Sequence, residues 1–383
     1  MRKDQSKKQI ADGYEDSVLP ISTGKKLIDN LEQKQFLDRD DLAALIASHC
    51  PELQEYARKK ARKIGDAWYG KKIYIRGLIE FSNYCKNDCY YCGIRRSNTH
   101  AVRYRLSEED ILACCREGWD LGFRTFVLQG GEDPYYDDDR VVQLVQQIRK
   151  EYPECAITLS LGEREKESYE RFREAGADRY LLRHETAVES HYRQLHPAEL
   201  SLEHRKQCLW NLKELGFQTG CGFMVGSPSQ TPEHLAEDFL FIRKLQPEMV
   251  GIGPFIPHQD TPFAKETQGS LELTLYLLSL LRIQQPDLLL PATTALATIH
   301  PQGREMGIQA GANVVMPNLS PVGVREKYSL YDGKVCTGEE SAECRDCLQR
   351  RVESIGYQIE VGRGDHCDIA MDKKNHKHGI AIE

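Results

Sequence analysis

Three thiols fall within eight residues, Cys85 to Cys92, in the stretch Glu80-Phe81-Ser82-Asn83-Tyr84-Cys85-Lys86-Asn87-Asp88-Cys89-Tyr90-Tyr91-Cys92-Gly93, directly after an apolar, strand-like run. In a chain of 383 residues with 13 cysteines, a Cys followed by others at +4 and +7 is expected by chance only about 0.015 times. Spacing then chooses among metals. A structural zinc site closes with four ligands, usually two close pairs, and no obvious second pair follows Cys92 at finger-like distance. Three thiolates on a 4Fe-4S cluster leave one iron without a protein ligand, and an open iron suits an enzyme that binds a small molecule there. Tyr91 is placed to cover such a group from water, while Asn83, Asn87 and Asp88 suit a loop held by local side-chain to backbone hydrogen bonds.

The pattern C-x3-C-x2-C with an aromatic before its last Cys resembles the signature of radical S-adenosylmethionine (radical SAM) enzymes. That resemblance implies a 4Fe-4S cluster on Cys85, Cys89 and Cys92, with the open iron chelating the amino and carboxylate groups of SAM and an electron cleaving SAM to a 5′-deoxyadenosyl radical.

Further candidates follow other apolar runs. Gln129-Gly130-Gly131-Glu132 offers backbone for close approach to a ligand and resembles the radical SAM segment that contacts the SAM amino group. Arg183-His184-Glu185-Thr186 sets three ionisable residues straight after Tyr180-Leu181-Leu182, where a carboxylate suits ribose hydroxyls or a sulfonium and an Arg suits a carboxylate. Arg205 taken alone is an exposed helical Arg; by resemblance it clamps the SAM carboxylate. Met224-Val225-Gly226 and Gly251 to His258, Ile256 included, form a glycine-rich apolar slot suited to adenine, although turn punctuation explains part of both stretches. Thr293, Thr294 and Met316, with Tyr328 and Tyr331 after them, suit a polar substrate deeper inside.

A second group, Cys336, Cys344 and Cys347, has C-x7-C-x2-C spacing in a polar loop with Glu339, Glu343 and Asp346. It is a candidate for another iron–sulfur cluster or a labile site. Cys50, Cys114, Cys115, Cys155, Cys208, Cys221 and Cys367 show no such spacing and read as packed thiols.

Composition narrows the setting. A formal charge of −7 with 40% hydrophobic residues gives no basic surface for nucleic acid and enough apolar mass for a large core. The most apolar stretch, Leu271 to Ile283, is interrupted by Glu272 and Arg282, and Met1 to Gly13 has no signal-like apolar core. The expectation is a cytoplasmic or otherwise reducing location, with no membrane and no nucleic-acid partner.

The positioning elements follow from periodicity. Helical spacing at Lys25–Leu31, Asp40–His49 and Pro51–Ile64 marks an N-terminal extension over residues 1–70. Strands are expected at Ile73–Phe81, Thr125–Leu128, Ala156–Ser160, Arg179–Leu182, Gln218–Met224, Met249–Gly253, Leu288–Ala292 and Asn313–Met316. Helices are expected between them at Ser107–Trp119, Asp138–Glu151, Glu165–Glu174, Leu202–Leu215, Pro232–Leu245, Leu271–Gln284 and Gly303–Gln309. Eight βα units predict an α/β fold, a closed (β/α)8 TIM-type barrel over 71–320 followed by a C-terminal cluster-binding segment over 321–383, with the chemistry at the strands' C-terminal ends.

Segments from Ile79–Arg96 to Tyr328–Cys347, within about residues 70–350, resemble the HydE family of FeFe-hydrogenase maturases. That resemblance implies a radical step on a sulfur-containing iron precursor, a small-molecule or organometallic compound, in assembly of the hydrogenase active-site H-cluster. It implies SAM contacts at Gln129, Gly130, Gly131, Glu132, Ser160, Glu185, Arg205, Met224 and Ile256, and substrate contacts at Thr158, Arg183, Thr293, Thr294 and Met316. Arg183, Tyr328 and Tyr331 carry the catalytic expectation. A second cluster of 2Fe-2S or 4Fe-4S type, a low-potential electron donor of ferredoxin or flavodoxin type, and other hydrogenase maturases as partners are implied as well. The loop Pro321 to Arg325 departs from the family in being less aromatic. Alternatives are a methylornithine-synthase-like or biotin-synthase-like radical SAM enzyme, which shares barrel and mouth, or a non-catalytic iron–sulfur carrier, which needs none of the SAM-like segments.

Overall fold

The computed structural model of the chain describes residues 19–335 and 345–367. Helices α1 (Ile21–Lys34), α2 (Arg39–Ala47) and α3 (Pro51–Tyr69) come first. Asp38 starts α2 by accepting a hydrogen bond from the Asp41 backbone N–H, and Pro51 sits in the first turn of α3, where a missing N–H costs nothing. The extended run beyond them is divided at buried Arg76 into β1 (Lys72–Ile75) and β2 (Gly77–Ser82).

Repeated βα units follow: α4 (Glu108–Asp120), β3 (Thr125–Gly130), α5 (Asp138–Glu151), β4 (Ala156–Ser160), α6 (Lys166–Ala175), β5 (Arg179–Leu181), α7 (Glu189–Leu195), α8 (Leu202–Glu214), β6 (Gln218–Cys221), β7 (Met224–Val225), α9 (Pro232–Leu245), β8 (Met249–Val250), β9 (Gly253–Pro254), α10 (Leu271–Gln284), α11 (Thr294–Ile299), α12 (Gly303–Gln309), β10 (Val314–Val315), α13 (Val322–Arg325), α14 (Arg345–Ser354) and β11 (Gln358–Glu360). Six strands form one parallel sheet in the order β2-β3-β4-β5-β6-β8. Parallel strands need helical crossovers and are covered on both faces, and β2 is accordingly buried at every position. Parallel bridges Met249–Leu289, Pro291–Val314 and Leu78–Asn318 continue the pairing past β8, and β1 pairs with both β10 and β11. The architecture is α/β and TIM-like.

Differences from the expected elements have local causes. The expected strand Leu288–Ala292 is reduced to bridges at Leu289 and Pro291, because Pro291 has no N–H to give to a ladder. Thr294 opens helix α11 instead of following a strand. Helices α7 and α11, seven and six residues long, and α14, ten residues long, are additional to the expected ones; so few turns give helical periodicity little room to show. None of the described helices is long and apolar enough to cross a membrane.

Beyond β11 the chain crosses the N-terminal ends of the strands. Thr125 Oγ1 and Arg179 Nη2 donate to the Arg363 carbonyl at 2.7 and 2.6 Å, and Arg179 Nη2 and Gln218 Nε2 reach Asp365 Oδ1 at 2.7 and 2.8 Å. Arg179 is fully buried, so Asp365 supplies the charge that its desolvation demands.

Candidate active site

At the C-terminal ends of the strands lies a cavity of about 340 Å³. Its wall carries Cys85, Cys89 and Cys92 and, from other elements, Gln129, Arg183, Glu185, Thr293 and Tyr328.

The cysteine loop is held by its own polar groups. Asn83 Nδ2 donates to the carbonyls of Val102 and Lys327 at 2.9 and 2.7 Å, and its Oδ1 accepts from the Tyr104 N–H at 2.8 Å. Arg103 donates to four carbonyls, those of Asn83, Ile94, Arg95 and Asn98, at 2.5 to 3.1 Å. Burial opposes charge on Asp88, but bonds from Arg95 and Ser97 outweigh it and bring its carboxyl down to about 2. The three thiols are all free. Burial, and for Cys89 and Cys92 the neighbouring thiols, push them up, Cys92 to about 12. Three thiols crowded into one desolvated wall become thiolates together only against a compensating cation, as a metal cluster provides.

The glycine pair is pressed onto this loop. A Cβ on Gly131 would stand 2.1 Å from the Tyr84 carbonyl oxygen. The Lys86 N–H donates to the Glu132 carbonyl at 2.9 Å. The Glu132 carboxylate pairs with Lys86 Nζ of the loop at 3.3 Å through one oxygen and accepts from the Glu163 N–H at 3.0 Å through the other, passing over Gly162, where a Cβ would meet its Cγ at 2.0 Å and φ is +76°. Glu163 in turn ion-pairs with Arg205 on α8, whose Nη1 donates to the Arg183 carbonyl at 3.2 Å. Burial disfavours charge on Arg205, but Tyr192, Glu163 and Glu132 outweigh it and hold the guanidinium protonated.

Arg183 and Glu185 meet across 3.1 Å. Glu185 is a non-glycine residue at φ 65°, a conformation that costs about 1–3 kcal/mol and concentrates at functional positions. Arg183 Nε and Thr293 Oγ1, both on residues of the cavity wall, are buried without a hydrogen-bond partner, while Arg183 Nη2 and Glu185 Oε2 face each other in their ion pair. A desolvated wall offering cation, carboxylate and hydroxyl suits a zwitterionic ligand with hydroxyl groups, and the adjacent thiols suit a cluster. The residues present therefore fit both groups. Tyr91 lines the same cavity; its hydroxyl lies 3.2 Å from His196 Nε2, and His196 Nδ1 reaches the Tyr192 carbonyl at 3.0 Å. With the ring proton on Nδ1, His196 accepts from Tyr91 and fixes the ring over the thiols.

Gly130, Gly131, Glu132, Ser160, Arg205, Met224, Ile256, Thr294, Met316 and Tyr331 also line the cavity. Thr158 does not: it is buried within β4, and its hydroxyl lacks a partner there. His184 turns into the core beside Asp238, at 3.2 Å, and burial lowers it to about 3, so it stays neutral. His258 caps its own turn by accepting from the Asp260 N–H. The Pro321 to Arg325 stretch forms α13, away from the lining. Cys336 and Cys344 lie outside the described residues, while Cys347 is half-buried on α14 with Arg350 Nη2 3.4 Å from its sulfur.

Sequence reasoning missed Glu163, the His196 partner of Tyr91, and a buried ion pair behind the tyrosines. Lys334 Nζ contacts Glu80 Oε1 at 2.5 Å, donates to the Tyr328 carbonyl at 2.9 Å and lies 4.8 Å from the Tyr328 ring. Glu163 had a signal in Leu161-Gly162-Glu163 directly after a strand. Glu80 and Lys334 had none, being 254 residues apart.

The sequence profile of the Radical SAM superfamily matches residues 79–242, a span containing the thiols, the glycine pair, Glu185 and Arg205. The FeFe hydrogenase maturase subunit HydE of Thermotoga maritima is 46% identical over 334 residues, covering 87% of this chain and 95% of that protein. The 3-methylornithine synthase of Methanosarcina acetivorans is 30% identical over 337 residues, 88% of this chain and 93% of its own. Among solved structures, that of methylornithine synthase (PylB) superposes with a TM-score of 0.77 at 28% identity, covering 87% of this chain and 97% of that one.

Proposed function

The chain belongs to the HydE family of radical SAM enzymes, the FeFe-hydrogenase maturases, and from that membership we propose that it cleaves SAM reductively and acts on a sulfur-containing iron precursor during H-cluster assembly. The observation that carries this reading is the convergence in one cavity of Cys85, Cys89 and Cys92 with the Arg183–Glu185 ion pair and the unpartnered Arg183 Nε and Thr293 Oγ1. When bound, the cluster on the three thiolates supplies the electron that splits SAM into methionine and a 5′-deoxyadenosyl radical.

This chain's residues do the positioning. Gly130 and Gly131 let backbone approach the SAM amino group, and Arg205, kept cationic by Glu163, attracts its carboxylate. Glu185 reaches the ribose hydroxyls or sulfonium, while Gln129, Ser160, Met224 and Ile256 enclose the remainder. Arg183, Thr293, Thr294 and Met316 bound the substrate, and Tyr328 and Tyr331 close the cavity over it. Burial pushes the Tyr328 phenol far up, so it faces the substrate as a neutral donor. A dry wall of this kind keeps a reactive carbon radical within contact of its target and away from water.

The wider reading includes pairing closed into a full (β/α)8 barrel over 71–320, flanked by the helical extension 1–70 and the segment 321–383. It also includes an accessory cluster on Cys336, Cys344 and Cys347, a ferredoxin- or flavodoxin-type donor, partner maturases and a cytoplasmic location. The test is anaerobic incubation of reconstituted protein with SAM, dithionite and an iron–cysteine complex. Formation of 5′-deoxyadenosine with consumption of the complex is expected. SAM cleavage with the complex left unused would favour the alternative suggested by the 30% identical synthase. Retained 5′-deoxyadenosine after replacing Cys85, Cys89 and Cys92 by Ala would overturn the cluster assignment.

A further inference from the structure

At the opposite end of the strands from the cavity, the C-terminal segment brings His366 and Cys367 against Asp287, in the loop between α10 and Leu289. One nitrogen, one sulfur and one carboxylate oxygen from these residues lie within 4.8 Å of one another. We propose that Asp287, His366 and Cys367 bind a divalent, borderline-soft cation of the zinc class, which staples the C-terminal segment to the underside of the fold.

The donor chemistry is the first reason. Imidazole, thiolate and carboxylate are the ligands zinc takes in tetrahedral sites, and calcium or magnesium would call for oxygen alone. Spacing is the second. His366 Nε2 and Asp287 Oδ2 are 3.5 Å apart, too long for a good hydrogen bond and close to the edge of about 3.3 Å between two ligands held about 2.0 Å from a tetrahedral ion. The third is an atom short of partners: Asp287 Oδ1 is shielded from solvent and meets no donor at good hydrogen-bond geometry, although His366 and Gln285 stand close enough to favour the carboxylate. A carboxylate oxygen is desolvated at no gain unless a cation or donor meets it.

The surroundings hold the ligands in place before any ion arrives. The His366 N–H donates to Gln218 Oε1 at 2.9 Å, and its neighbour Asp365 is locked to Arg179 and Arg363. On the other side Tyr69 Oη donates to the Asp287 carbonyl, and Arg282 Nη1 donates to the Pro286 carbonyl at 2.7 Å. Both backbone segments are thus fixed by bonds that do not involve the ligand atoms, which is how a metal site is preorganised. The Asp287 side chain is 25% exposed and Cys367 is half-buried, leaving an entry path and room for water as a fourth ligand. The site is separate from the cavity: none of its three ligands is among the residues that line it.

The test is metal analysis and zinc K-edge absorption on the full-length reconstituted protein after zinc loading and desalting, with wild type compared with His366→Ala and Cys367→Ser. Iron content serves as the internal control for the cluster thiols. Wild type should hold about one zinc more per chain than either variant, in a shell with one sulfur at about 2.3 Å and lighter ligands at about 2.0 Å. Chelation should lower the unfolding temperature of wild type, zinc should restore it, and the variants should not respond. Should Cys367→Ser fail to fold, Asp287→Asn serves with the same readouts. Equal zinc in wild type and variants, or a wild-type unfolding temperature indifferent to chelator, would overturn the proposal.

Discussion

Replacing Lys334 by Met should destabilise the protein by about 3–5 kcal/mol, the range for removing one partner of a buried ion pair. Lys334 and Glu80 have side chains only 8% and 1% exposed. Without the ammonium group, the Glu80 carboxylate keeps one side-chain donor, Asn318 Nδ2 at 2.9 Å, and has no access to water. The cost is therefore that of an uncompensated buried charge rather than of a lost contact. Glu80→Gln combined with Lys334→Met removes both charges and should cost less than Lys334→Met alone, by about 2 kcal/mol or more. Denaturant unfolding of the four proteins of the cycle, reconstituted anaerobically, gives the coupling. The pair also anchors Tyr328 through its carbonyl, so Lys334→Met should raise abortive SAM cleavage relative to product while leaving SAM affinity unchanged. A Lys334→Met protein within about 0.5 kcal/mol of wild type, or a double variant no more stable than the single, would refute the reasoning.

The strained backbone at Glu185 separates stability from function: Glu185→Gly should leave stability within about 1 kcal/mol of wild type by relieving the positive φ, yet weaken SAM binding at least tenfold in calorimetric titration. Arg103→Met leaves four carbonyls of the cysteine loop without their donor, so the variant should lose cluster iron to a chelator at least ten times faster than wild type, as read by the decay of visible absorption. Burial and then the stacked His234, 4.7 Å away, hold His191 down to about 4. Its unfolded form titrates near 6.5, so between about pH 6.5 and 4 the unfolded chain binds the extra proton and stability falls as pH falls, by up to about 1.4 kcal/mol per pH unit. His191→Gln should flatten the pH dependence of the unfolding midpoint in that window, and an unchanged slope would remove His191 as its cause.

The sequence by itself carried everything whose chemistry is local. The three thiols at fixed spacing, the glycine pair after a strand, and the alternation of apolar runs with amphipathic helices were readable because ligand spacing and periodicity are properties of neighbouring residues. Arg183 and Glu185 were readable as candidates because charge directly after a buried strand is expensive without a purpose, whereas Arg205, on a helix, was a candidate only through the family resemblance. What that charge contacts was decided by the fold. Only tertiary structure turned His184 into the core, against Asp238 and Phe241, and Glu185 to the cavity. Only it joined Glu80 to Lys334, set Glu163 behind Arg205, and laid Arg363 to Cys367 across the strand ends beside Asp287. Each of those contacts links segments dozens to hundreds of residues apart, and no periodicity or local spacing records a partner brought near by chain folding.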